Sequence, residues 1–188
     1  MSWTSDLEAL RSAELLQPIE SVTHSGDVFL EVERDYLHQI AELRPETWAE
    51  LSPIERLHGL QELEVRLAEI DGRPTVEVRT EPLNKMECGY YDRQNGAIVI
   101  NEALIHSSQP FAAVETVAHE GRYAYQDYAI HHPNVHGNQV EVETWRTNIK
   151  DFLSVAQLGY ELYQTQPLVT DAVHFAGSVI ASLFAATP

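Results

Sequence analysis

The chain has 188 residues, 44% of them hydrophobic, and a formal net charge of -17. That length and composition imply one domain with a real core. So acidic a surface, with Lys85 and Lys150 as its only lysines, excludes nucleic acid and anionic membrane as expected partners.

No run of 18 apolar residues is evident, so no membrane-spanning segment is expected. The N-terminus MSWTSDLEALRS is acidic and polar, unlike a secretory signal. The expected setting is cytoplasmic, or delivery as part of a larger secreted effector. Cys88 is alone and forms no internal disulfide.

In chain order, residues 27–45 place Val28, Leu30, Val32, Tyr36, Ile40 and Leu43 close to helical period. Ser52, Pro53 and Glu55 form a capping box with proline at the first helical position. Leu57, Leu60, Leu63, Leu67 and Ile70 continue as a stripe until Asp71-Gly72 ends the helix. Residues 1–72 therefore form a helical front of the single domain, and 73–188 carry a sheet and the remaining helices.

PTVEVRT, residues 74–80, alternates as a half-buried strand does. GYYD and AIVIN flank Asn95-Gly96, a hairpin signal. The run Ala97–Asn101 suits a buried central strand, with an edge strand open to a peptide as the alternative. Residues 109–130 read as a helix stopped by His131-His132-Pro133. A second helix is expected from about Asn138 to Tyr163, with Val142, Trp145, Ile149, Phe152, Leu153 and Ala156 facing inward. Thr170–Ala186 is expected as a last helix on the core.

The stretch TVAHEGRYAYQ, residues 116–126, holds the chemistry. On a helix, positions 119 and 123 share one face, so two side chains there can reach one ion. His119 is a metal donor, and Glu120 on the neighbouring surface can take a proton from metal-bound water. Position 123, where H-e-x-x-h would place a second histidine, is Tyr123. The next helix offers Glu141 and Glu143. Glu141 lies one turn before Trp145, at the edge of the apolar face, and Glu143 lies on the polar side. Glu141 is therefore the assigned third ligand, with Glu143 as runner-up.

AVETVAHEGRYAYQDYAI…NQVEVETWRTN resembles the zincin metallopeptidases with a glutamate as third ligand, and small bacterial toxin and effector domains among them. The resemblance covers roughly residues 75–150. It implies an α+β zincin-like fold and zinc-dependent hydrolysis of a peptide or protein substrate. It also implies a cognate inhibitor protein as a partner. Under it His119 and Glu141 bind zinc, Glu120 is the general base, and Tyr123 occupies a ligand position.

Tyr123 admits three readings. A phenolate ligand is costly, because an unperturbed tyrosine has a pKa near 10. A selected or engineered His-to-Tyr change would silence a harmful enzyme. A natural pseudoenzyme would act as a non-catalytic peptide- or protein-binding module. Silencing is preferred, because Glu120 and Glu141 are intact.

Of the remaining candidates, one of His131, His132 and His136 could stabilise an oxyanion or replace the lost ligand, but exposed loop residues are the simpler expectation. Tyr90 and Tyr91 can donate to a tetrahedral intermediate, but strand packing is the simpler reading. Arg122 and Arg146 are expected to pair with nearby carboxylates.

Overall fold

A computed structural model describes residues 31–184. Val28, Leu30, Ala185 and Ala186, placed on helices by the sequence reading, lie outside the described residues.

The front is helical, but not as one rod. Helix α1 (Glu31–His38) gives way to a 3-10 turn (Ala41–Leu43) and helix α2 (Pro45–Glu50). The break follows from Pro45, which holds Arg44 extended at φ -67°, ψ 133°. Leu37, Ile40, Leu43 and Trp48 are nevertheless buried.

Helix α3 (Pro53–Asp71) has the expected capping box. The Ser52 amide donates to Glu55 Oε2 at 2.8 Å, and Gly72 closes the helix at φ 67°. Leu60, Leu63 and Leu67 are fully buried, as their stripe required.

Strands β1 (Glu77–Glu81), β2 (Gly89–Asp92) and β3 (Ala97–Asn101) form a sheet of order β1-β3-β2. β3 pairs parallel with β1 and antiparallel with β2. All five residues of β3 are buried, which suits its central place, with β1 and β2 at the edges. Asp92 accepts from the Gln94 and Asn95 amides, and Gly96 takes φ 61° to close the hairpin.

After the short helix α4 (Glu102–Ile105), helix α5 (Phe111–His131) crosses the core. It packs on α3, on the sheet and on the last helix. Val114, Val117 and Ala118 enter the main core with Ile98 and Ile100.

Helix α6 (Gln139–Lys150) ends well short of Tyr163. Two one-turn helices follow, α7 (Val155–Leu158) and α8 (Tyr160–Gln164). The expected single helix fails because Ser154 starts a new capping box with Gln157, and Gly159 sits at φ 76°, ψ 160°. Val142 and Trp145 are buried as expected. Phe152, Leu153 and Ala156, assigned to the inward face, are exposed.

Helix α9 (Pro167–Phe184) is long and apolar enough, at mean hydropathy 1.4, to cross a membrane by length and composition. It is not an unbroken apolar run, since Asp171 and His174 lie within it. In this fold Leu168, Val169, Ala172, Phe175, Ala176 and Val179 are buried, and the helix packs along α5.

Candidate functional site

The site is built on α5. Its centre is unusual for a helix, because Gly121 sits in the middle. A Cβ there would lie 3.2 Å from Arg73 Nη2 and 3.2 Å from Glu64 Oε2. The bare backbone thus lets a fully buried, bidentate ion pair press against α5. Arg73 Nη1 and Nη2 donate to Glu64 Oε1 and Oε2 at 2.6 and 2.8 Å.

The next residue, Arg122, is also buried. Its Nε donates to Asp171 Oδ2 at 2.8 Å and its Nη2 to Asp171 Oδ1 at 3.0 Å. The guanidinium lies over the rings of Tyr125, Trp145 and Phe175. Gln126 Nε2 donates to the same Asp171 at 2.6 Å. α5 is therefore locked to α9 through charge on the face next to the motif. The expectation that Arg122 pairs with a carboxylate is met by a residue on the last helix.

Glu120 is buried. Desolvation pushes its pKa up to about 8, opposed by the nearby Tyr91 backbone N–H. At neutral pH the side chain is mostly a carboxylic acid. The Tyr91 amide belongs to an edge strand, so Glu120 faces β2. β2 can come this close because Gly89 has no side chain. A Cβ there would lie 2.5 Å from the Val99 carbonyl oxygen and 2.6 Å from Thr116 Cγ2 of α5.

His119 is half-buried. Burial lowers its pKa to about 4, against the pull of Asp171, so the ring is neutral at pH 7. Its edge meets Tyr123, with ring centroids 5.0 Å apart and planes at 88°. The shared face expected for positions 119 and 123 is present. Burial also raises the Tyr123 pKa above its ordinary value of 10, and the Tyr163 phenol raises it further. The Tyr123 hydroxyl is buried with no hydrogen bond of good geometry, though Tyr163 approaches it.

Glu141 is engaged elsewhere. His136 Nε2 lies 2.9 Å from Glu141 Oε2, and His136 Nδ1 lies 2.9 Å from Tyr125 Oη. A carboxylate can only accept, so His136 Nε2–H donates to Glu141, and Nδ1 shares the other hydrogen bond with the Tyr125 hydroxyl. The Trp145 ring packs on His136 at 4.7 Å. The structure thus joins His119 with Tyr123, and Glu141 with His136.

His136 is buried, against the expectation of an exposed loop residue, while His131 and His132 are exposed as expected. The aromatic stripe through Tyr125 and Trp145 was the signal that could have found it. Glu143 lies on the outer face and pairs with Arg146, whose Nη2 also donates to the Ile130 carbonyl at 2.8 Å. Tyr90 is exposed and its hydroxyl donates to Glu81 Oε2 at 3.3 Å. Tyr91 packs partly against the core. Cys88 is exposed, with its thiol towards Glu115, Glu120 and Thr116.

The donor set around His119 does not match zinc. Among the described residues no three His, Cys, Asp or Glu side chains group so as to hold a metal ion. The phenol beside His119 is neutral and Glu141 is taken by His136. These residues do not fit a catalytic zinc, which needs three strong protein ligands. No family model, curated protein or solved structure matches this chain.

Proposed function

We propose that the chain carries a zincin-type metallopeptidase scaffold in a silenced form. The observation that carries this reading is the neutral, buried phenol of Tyr123, edge-on to His119, at the position of the second motif histidine. What surrounds it supports a former hydrolytic site. His119 is a neutral imidazole, and Glu120 is a buried carboxyl group whose pKa is raised by desolvation. Zinc-dependent hydrolysis of a peptide or protein is then the parental activity, and a toxin or effector setting with a cognate inhibitor belongs to the same proposal.

The experiment is metal content and peptide cleavage for the parent chain and for Tyr123→His. The parent should hold far less than one zinc per chain and cleave nothing measurable. Tyr123→His should take up zinc. Stoichiometric zinc in the parent would make the phenol a ligand and end the silencing reading.

The second reading is a non-catalytic peptide-binding module. β2 favours it, because it is an edge strand beside the motif helix. A guest strand added there would have to displace Glu120 from beside the Tyr91 amide. Zinc uptake without cleavage in Tyr123→His would favour this module.

A further inference from the structure

The segment after α6 behaves unlike the rest of the domain. Neither α7 nor α8 buries a single residue. Val155 and Leu162 stand 40% and 59% exposed, and Phe152 and Leu153 are exposed beside them. Little burial holds the segment down, which is the mark of a low-stability unit.

Its ends are nonetheless pinned together. The buried Gln166 side chain makes a two-bond pair with the Leu153 backbone. Leu153 N–H donates to Gln166 Oε1 at 2.9 Å, and Gln166 Nε2 donates to the Leu153 carbonyl at 2.8 Å. Thr170 Oγ1 adds a bond to the Gln164 carbonyl at 2.8 Å. This is an Ω-loop with a closed neck. Gly159 bends it midway at φ 76°, ψ 160°, a conformation open essentially to glycine alone.

The inner side of the loop carries two tyrosines, one turn apart. Tyr160 lies near Glu115 and Cys88, and Tyr163 near Tyr123 and Glu120. On α5, residues 115, 119 and 123 follow one another at four-residue steps on one face. The two phenols therefore bracket His119 from above. Tyr163 is held in place by Phe152, with ring centroids 5.9 Å apart.

We propose that residues Leu153–Gln166 form a strap that closes over His119 and Glu120, with the Gln166–Leu153 neck and Gly159 setting how often it opens. The strap does not depend on which reaction the site supports. Full access to His119 and Glu120 waits for it to swing away.

The test uses diethyl pyrocarbonate, which acylates neutral imidazole, on the whole chain at pH 7, with modification read residue by residue by peptide mass. Exposed His131 and His132 are internal standards, and buried His136 reports global opening. In the parent, His119 should react more slowly than His131. Gln166→Ala removes both neck bonds, and at the usual worth of hydrogen bonds His119 should then react about tenfold faster. Gly159→Ala should act in the same direction, with His131, His132 and His136 unchanged. Unchanged His119 reactivity in both variants, or a parallel rise at His136, would overturn the strap. Should neither variant fold, amide exchange on the parent decides. Residues 155–164 must exchange well before 111–131, and equal protection sinks the idea.

Discussion

Glu141 and His136 share a hydrogen bond of 2.9 Å across the start of α6, and His136 is in turn bonded to Tyr125 on α5. This chain of three residues ties the loop between the two helices to both of them. It also occupies the carboxylate that the sequence reading assigned to a metal.

The first prediction tests that tie. His136→Ala leaves the Tyr125 hydroxyl without its buried partner and opens a gap beside Trp145. The expected loss of stability is about 1–3 kcal/mol. Tyr125→Phe, which keeps the ring and its packing, should cost about 1 kcal/mol. Urea unfolding of the three proteins checks both values. Equal stability throughout would mean that the loop is held by packing alone.

A second prediction concerns pH. The folded pKa of His119 is depressed, from 6.5 to about 4, so its contribution is lost as pH falls through that window. The folded pKa of Glu120 is raised, from 4.5 to about 8, so its contribution is present at low pH and lost as pH rises through that window. Between about pH 4.5 and 6.5 the two effects oppose each other. From about 6.5 to 8 only the Glu120 loss remains. Glu120→Gln should abolish the decline above pH 6.5 and make the variant more stable than the parent at pH 8. Melting temperatures from pH 4 to 8 measure this. A parent and variant with parallel curves would place Glu120 in a wetter site.

The third prediction addresses the buried charge between α5 and α9. Asp171→Ala strips Arg122 of its bidentate partner and leaves the buried guanidinium beside Asp71, whose Oδ1 lies 3.6 Å from Nη1. Breaking one side of a buried pair costs about 3–5 kcal/mol, an upper figure here because Asp71 stays. Asp171→Asn, which still accepts one bond, should lose less. Chemical denaturation ranks the two. A neutral Asp171→Ala would show that water reaches Arg122 readily.

The fourth prediction is steric. At Gly89 an added methyl meets the Val99 carbonyl oxygen and the Thr116 methyl, both of them firmly placed. Gly89→Ala should destabilise by about 1–3 kcal/mol, the usual range for overpacking. It should also push β2 away from α5 and move the Tyr91 amide away from Glu120. The Glu120 pKa, followed by carboxyl-labelled NMR, should then shift. A stable variant with an unmoved Glu120 would refute the close approach.

Local sequence determined much of the frame. The Ser52–Glu55 capping box, the Leu60–Leu63–Leu67 stripe, the Asn95-Gly96 turn and the β-branched run of β3 each encode their structure within a few residues. Capping bonds, helical period and turn conformation are short-range effects, so they read directly from the chain. The pairing of His119 with Tyr123 is local in the same way, being one helical turn. Tertiary structure decided the rest. Arg122 meets Asp171 from 49 positions away, Gly121 faces the Glu64–Arg73 pair, and His136 folds inward onto Glu141. Which buried charge finds which partner depends on how helices dock, and the desolvation that raises Glu120 and lowers His119 exists only once β2, α5 and α9 have closed around them.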